Sequence, residues 1–465
     1  MGLMIAGVSS GSGKTTLTIG LMRALKNRGV KVAAFKAGPD YIDPMFHRLA
    51  VQEASYNLPS WMVTDDTLKY LYEKRSRGQE FSIIEGVMGY FDGHSFETIE
   101  GSSAHLAEVL GIGVVIVMDA SHMALTAAAL IEGLMHFHTP NQIKGVIFNK
   151  VSSISHFESL KNAIEQHLNI KCYGYLKPSI GIQIESRHLG LIQAQENINI
   201  EDKIEKIAAL VTETVDLDSL LYDFKNAVDQ TNFVAYDSIG CQASLSKIRA
   251  EVEKQGGLRL GIAKDNAFSF YYDENIETLR ECGVTLIPFS PIYDHQLPDA
   301  VDAIYLGGGY PEVFAKVLSD NQTMRESIKT HARAGMPIYA ECGGLMYLMK
   351  TLKNMSGEVY EMVGIFDGHS KMTNRLQHFG HVDAHLQLPI KNNSDGVRYR
   401  GHEFHQSVVE TNAVDCIIEV IGKKDTWQCG YHAQNVLGTY VHNHFYSNLD
   451  FLEWLIHFLS QTKAI

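Results

Sequence analysis

Two short strings on this chain carry residue types suited to catalysis: Gly7-Val8-Ser9-Ser10-Gly11-Ser12-Gly13-Lys14-Thr15 and Ala340-Glu341-Cys342-Gly343-Gly344. In the first, Gly11, Ser12 and Gly13 would let backbone N–H groups converge on phosphate oxygens, with Thr16 following. Lys14 would reach the terminal phosphates of a nucleotide, and the Thr15 hydroxyl would bind Mg2+. In the second, the glycines behind Cys342 suit a strained strand-to-helix elbow, where larger side chains would clash. An elbow puts the thiol at a helix N-terminus, which lowers its pKa and favours a nucleophilic thiolate. The N–H of Gly343, with Gly308 and Gly309 of the Gly307-Gly308-Gly309 triplet, would supply oxyanion donors. For the base, Gly438 to Phe445 offers His442, with His444 in reserve.

Other candidates surround the phosphate loop. Phe81 to Ile84 reads as an apolar strand ending in Glu85, and in a parallel sheet that carboxylate lands beside the loop. Lys36-Ala37-Gly38-Pro39-Asp40-Tyr41-Ile42-Asp43-Pro44 follows another strand. Thr15, Asp40 and Glu85 are therefore the expected Mg2+ ligands, while Tyr41 and His47 are expected to contact substrate. Asp92 either faces the same site or closes an ordinary Asp-Gly turn with Gly93. Asn149 ends the run Val146 to Phe148, where it would read the nucleotide base. His402 and His405 in Arg400 to His405 lack the companion spacing of a zinc site.

These residues need scaffolds. Leu3 to Ala6, Val32 to Phe35, Phe81 to Ile84, Val114 to Met118 and Val146 to Phe148 are short apolar runs alternating with helical patterns, such as Thr16 to Lys26. A second series runs through Leu260 to Ala263, Leu286 to Phe289, Ala303 to Leu306 and Pro337 to Ala340. Both series imply α/β domains with parallel sheets. The expected boundaries are 1–225 for the domain carrying the phosphate loop, 226–256 for a linker, and 257–465 for the domain carrying the cysteine elbow. A length of 465 residues suits two cores better than one, since single cores stop growing near about 250 to 300 residues. The six cysteines show no CxxC spacing, and no signal peptide is evident before the first strand, so a reducing cytoplasm is expected. No apolar run approaches about 18 residues, which argues against a membrane span. A net charge of -13 disfavours nonspecific binding to nucleic acid.

Taken together, the motifs resemble those of the cobyrinic acid a,c-diamide synthase family, glutamine-dependent amidotransferases of corrinoid biosynthesis. The resemblance runs along essentially the whole chain. It rests on the extended phosphate loop, Lys36 to Pro44 with His47, Asn57-Leu58 through Trp61-Met62, Glu85-Gly86, Asp92-Gly93, Glu185-Ser186-Arg187-His188-Leu189-Gly190-Leu191, Tyr305 to Glu312, the Cys342 elbow, Arg400 to His405 and Gly438 to Phe445. It implies a P-loop NTPase domain of the dethiobiotin synthetase-like type, followed by a class I glutaminase-like α/β domain with a Cys-His pair. Two departures stand out: Ala340 replaces a usual first glycine of the elbow, and His444 stands where class I enzymes commonly carry a glutamate. A group other than that glutamate must orient His442.

The implied chemistry is ATP- and glutamine-dependent amidation of the a and c acetates of a tetrapyrrole, by way of an acyl phosphate and ammonia, with Asp40, Tyr41, Glu85 and Asp92 shaping the synthetase site. Cobyrinic acid, its metal-free relative hydrogenobyrinic acid and (nickel-)sirohydrochlorin are alternative macrocycles. A homodimer is expected. A MinD-like regulatory ATPase is the reading from another class; the loop spacing allows it, but the lysine such proteins carry near Ser9 or Ser10 is absent.

Overall fold

Apolar runs too short for helices become strands here. β1 (Gly2–Gly7), β2 (Val32–Ala37), β3 (Ser55–Leu58), β4 (Phe81–Glu85), β5 (Gly113–Asp119), β6 (Ile143–Asn149) and β7 (Lys171–Tyr175) form one parallel sheet in the order β3-β2-β4-β1-β5-β6-β7. The computed structural model describes residues 1–178, 186–187, 190–191, 199–226, 240–388, 395–411 and 415–461. It divides into two compact units, Met1–Ser238 and Ile239–Ile465. Every residue of β1, β2 and β4 is buried, as expected of strands covered on both faces. The five runs read from the sequence match β1, β2, β4, β5 and β6. The edge strands β3 and β7 are additional, their polar or mixed sequences (Ser55-Tyr56-Asn57-Leu58 and Lys171 to Tyr175) having given no apolar signal.

Helix α1 (Lys14–Asn27) starts at the phosphate loop and buries Leu17, Ile19, Leu21, Met22 and Leu25. Helix α2 (Ile42–Val51) packs beside it. Arg23 on α1 is buried, and its guanidinium serves as a cap: Nε donates to the Ala50 carbonyl at 2.9 Å and Nη2 to the Leu49 carbonyl at 2.7 Å, satisfying the end of α2. Its Nη1 also meets Glu205, and Glu201 at 2.6 Å, on the helix Ile200–Thr214.

In the second unit the parallel strands are Val284–Phe289, Leu258–Ala263, Ala303–Leu306, Ile338–Glu341 and Val436–Thr439, in that spatial order. An antiparallel extension continues the same sheet through Thr426–Ala433, Asp415–Ile421, Phe379–Leu386, Val397–Phe404 and finally His442–Asn443. Only Tyr440 and Val441 separate Val436–Thr439 from His442–Asn443, although these strands lie in the middle and at one edge of the sheet. The antiparallel half therefore curls back toward the parallel half. It brings His442 opposite His402 in register.

Within the stretch expected as a linker, Cys241–Lys254 is a helix of the second unit that packs on the helix Leu449–Leu459, while 227–239 lie outside the described residues. Of the Glu185 to Leu191 string, Ser186–Arg187 and Gly190–Leu191 form a short antiparallel pair; Glu185, His188 and Leu189 lie outside the described residues. Among the described residues no helix is long and apolar enough to cross a membrane.

Replacing Arg23 by methionine would strand the Leu49 and Ala50 carbonyls in the interior. The substitution is expected to destabilise the N-terminal unit by about 2 to 3 kcal/mol, read as a lower midpoint in denaturant unfolding followed by a probe in that unit.

Candidate active sites

The phosphate loop turns where its glycines allow: Gly11 and Gly13 sit at φ 78 and 99°, a region that opposes side chains. Ser12 Oγ donates to the Ser9 carbonyl at 2.6 Å, fixing the loop internally. Lys14 Nζ donates to the carbonyls of Met88 at 2.6 Å and Ser9 at 3.2 Å. Burial pushes its pKa below the ordinary lysine value, and Lys36 adds to that shift. Thr15 and Thr16 occupy the first turn of α1, and the Thr15 hydroxyl donates to Glu85 Oε1 at 2.6 Å.

Glu85 is the hub. Its Oε1 also meets Lys36 Nζ at 3.1 Å, and its Oε2 meets His47 Nε2 at 2.6 Å. Lys36 reaches Asp43 Oδ2 at 2.5 Å as well, and all four of these side chains are buried or nearly so. Burial opposes the charge on Lys36 and on Glu85. Opposite partners outweigh it in both cases: Asp43 and Glu85 hold the lysine above its usual value, and Lys36 with His47 and Thr15 holds the Glu85 carboxyl well below its own. Asp43 goes the other way; burial and the neighbouring carboxylates Asp40 and Glu85 raise it despite Lys36.

The register explains the gathering. Lys36 lies opposite Glu85 across β2 and β4, and Ile5 of β1 lies opposite Glu85 on the other side, so strand ends converge beside the loop. Hard oxygen donors at Thr15 and Glu85 beside Lys14 suit Mg2+ whose remaining ligands are phosphate and water. Among the described residues no cluster of three or more His, Cys, Asp or Glu could hold a metal alone. Asp40 Oδ1 accepts from the Ile42 N–H at 2.7 Å, which starts α2 rather than pointing that oxygen at Glu85. Tyr41 occupies the N-cap of α2, half-buried. Asp92 Oδ2 accepts from the Gly89 N–H at 3.0 Å, the turn alternative raised by its sequence. Asn149 Nδ2 donates to the Ser12 carbonyl at 2.9 Å, so that amide N–H braces the loop.

In the second unit, Cys342 follows the strand Ile338–Glu341 and precedes the helix Gly343–Leu348, with φ 47° and ψ -100°. This strained conformation marks the elbow. Gly344 is demanded by packing, since a Cβ there would lie 2.3 Å from the Leu306 carbonyl oxygen. A Cβ on Gly343 would lie 3.0 Å from the Gly309 nitrogen, which puts the Gly309 amide at the elbow. Gly308 instead abuts the base: a Cβ there would meet His442 Cε1 at 2.6 Å. The Cys342 N–H donates to the Thr439 carbonyl at 2.7 Å, and His442 lies three residues beyond Thr439. His442 stacks on His402 at 5.0 Å, and the His402 ring meets the Tyr272 hydroxyl at 3.2 Å. His405 Nε2 meets Glu403 at 3.1 Å, and Trp427 Nε1 donates to the other Glu403 oxygen at 3.2 Å.

Sequence comparison agrees with both halves. The profile of the CobQ/CobB/MinD/ParA nucleotide binding domain matches residues 3–192, and that of the CobB/CobQ-like glutamine amidotransferase domain matches residues 259–449. Cobyrinate a,c-diamide synthase of Listeria innocua is 42% identical over 452 residues, 96% of each chain. The enzymes of the same name from Caldanaerobacter subterraneus subsp. tengcongensis (41% over 446 residues, 96% of this chain and 95% of that one) and Clostridium acetobutylicum (40% over 461 residues, 98% and 99%) are comparable. The chain belongs to the cobyrinate a,c-diamide synthase family.

Within this family member, the structure brings Lys14, Thr15 and Glu85 into one cluster, and Cys342, Gly309, Gly343 and His442 into another. One expectation is corrected. The thiol of Cys342 was expected to be acidified by the helix end, but burial pushes its pKa up and the carboxylates of Glu312 and Glu403 push it further. The Gly343 N–H acts in the opposite sense and is outweighed. The reserve base His444 is buried with neither ring nitrogen hydrogen-bonded, and burial pushes it down to about 3, so it stays neutral. Sequence reasoning assigned no role to Lys36 or Asp43. A lysine inside an apolar strand, Phe35-Lys36-Ala37, was the available signal, because a buried cation needs anionic partners.

A raised thiol pKa leaves Cys342 protonated at neutral pH in the free enzyme. Its alkylation by iodoacetamide, followed by peptide mass spectrometry, is expected to climb continuously from about pH 7 to about pH 10; a plateau near neutrality would mean a preformed thiolate.

Proposed function

We propose that the protein amidates acetate carboxylates of cobyrinic acid, at positions a and c, consuming ATP and glutamine. The observation that carries this is the presence on one chain of a glycine-bounded cysteine elbow beside a buried histidine, and of a phosphate loop whose Thr15 meets a buried Glu85.

At the elbow, the neutral Cys342 thiol gives its proton to His442 as its sulfur attacks the side-chain amide carbon of glutamine. The N–H groups of Gly309 and Gly343 stabilise the oxyanion. His442 then passes that proton to the leaving nitrogen, releasing ammonia, and with His442 as base water hydrolyses the glutamyl thioester to glutamate and free thiol. At the other site Lys14 holds the terminal phosphates of ATP, the loop amides from Gly11 to Thr16 cradle them, and Thr15 with Glu85 would hold Mg2+. A metal held there would offset phosphate charge. The substrate carboxylate takes the γ-phosphoryl group, leaving ADP. Ammonia attacks the acyl phosphate, phosphate departs, and an amide remains. Lys36, fixed by Asp43 and Glu85, brings positive charge to the side where anionic groups react. Tyr41, Asp40 and Asp92 border that site. A cysteine that acts as a thiol nucleophile fits a reducing cytoplasm.

The test is mass spectrometry of cobyrinic acid, hydrogenobyrinic acid and sirohydrochlorin, each incubated with protein, ATP, Mg2+ and either glutamine or ammonium. Each amidation should lower the mass by about one unit, and two are expected on cobyrinic acid. Cys342→Ser should lose glutamine-driven product and keep ammonium-driven product, while Lys14→Ala should lose both. ATP hydrolysis with no amidation of any macrocycle would sink the proposal and favour a regulatory ATPase; product confined to sirohydrochlorin would change the substrate.

A further inference from the structure

His442 needs a group on its Nδ1 side if its Nε2 is to handle the proton of Cys342. The residue two positions on is His444, which carries no negative charge and makes no hydrogen bond from either ring nitrogen. The residue that does approach is the one immediately before the nucleophile. Glu341 Oε2 lies 3.5 Å from His442 Nδ1, and the two side chains are 1% and 2% exposed.

We propose that Glu341 is the positioning carboxylate of His442, supplied from the nucleophile's own strand and completing a Cys342–His442–Glu341 relay. Its placement is determined on every side. Glu341 is the last residue of the strand Ile338–Glu341, paired with Thr439, so its backbone is tied to the segment that leads into His442. The Tyr339 hydroxyl donates to Oε1 at 2.9 Å, and Oε2 is the oxygen that faces the imidazole. Burial, and next the charge of Glu341, keeps the hydroxyls of Tyr305 and Tyr339 protonated as donors. His402 is stacked against the other face of the arrangement; burial, His442 and His381 lower its pKa, so it adds no positive charge there. The 3.5 Å separation is an ion-pair distance; shortened to a hydrogen bond when the imidazole takes up a proton, a desolvated carboxylate facing Nδ1 would fix the tautomer with Nε2 as acceptor and would stabilise the imidazolium formed when a neutral thiol yields its proton.

This rests on Cys342 and His442 being the glutaminase pair, and glutamate release by the wild-type protein tests that separately. If wild type releases glutamate but amidates no macrocycle, the substrate reading fails and this one stands. The deciding variant is Glu341→Gln, which keeps an acceptor for Tyr339 and removes the charge. Glutamine-driven kcat is expected to fall by about 100-fold or more with KM for glutamine little changed. A neutral amide no longer stabilises the imidazolium, so the acid limb of the kcat/KM profile should move to lower pH. Ammonium-driven amidation should be retained. Wild-type kcat with an unshifted acid limb would overturn the assignment. So would equal loss of glutamine- and ammonium-driven activity, which would mark Glu341 as a core residue only. If the glutamine variant does not fold, Glu341→Asp carries the test: it keeps the charge, so the acid limb should stay in place while kcat drops, and an acidward shift would refute the role.

Discussion

The hydrogen bond from the Cys342 N–H to the Thr439 carbonyl is the joint on which the C-terminal unit depends. It is the final rung between two parallel strands, Ile338–Glu341 and Val436–Thr439, and it fixes both segments that leave them. One becomes the cysteine elbow. The other crosses Tyr440 and Val441 and re-enters the sheet at His442, opposite His402. A slip of one residue would exchange the faces of one strand and separate sulfur, imidazole and carboxylate together. The glycines follow from the same constraint, because segments this close leave no room for a Cβ at Gly308 or Gly344.

The N-terminal unit is organised by charge in a dry place. Lys36, Asp43, Glu85 and His47 are all buried, a costly arrangement for isolated ions but a tolerable one for a fully bonded group. Glu85 collects bonds from Thr15, Lys36 and His47, while Asp43 is anchored by the first turn of α2. The cluster thereby links the ends of β2 and β4 to two helices, at the sheet edge where the phosphate loop begins. Both units place reactive groups beyond the carboxyl ends of parallel strands, where backbone amides point outward and side chains from separate strands converge.

Much of this was legible in the sequence because it is local. Gly11 to Thr15 and Cys342 to Gly344 announce a loop and an elbow through spacing alone, and β1, β2, β4, β5 and β6 announce themselves as apolar runs. What escaped depends on pairing between distant segments. Nothing in Thr426–Ala433 or Val397–Phe404 says that these strands extend a parallel sheet and carry it back to His442. Glu341 was in plain view beside the cysteine, but its relation to His442 exists only through the Thr439 register. Asn149 and Asp40 show a different limit: both occupy the edge that their strands predict, yet backbone groups nearby claim the polar atoms described. The thiol pKa was misjudged for a third reason, since helix-end polarity was weighed without the burial and carboxylates that surround Cys342.

Lys14 offers a last point. Its ammonium rests on the carbonyls of Met88 and Ser9, and Met88 itself takes a φ of 47° in the segment after Glu85. Two of the three donors of the ammonium hold it against this segment and the loop, which fixes the direction in which its charge is presented. The phosphate-loop lysine and the Glu85 carboxylate thus share one backbone support, the segment Gly86–Gly93, although that segment is remote in sequence from the loop.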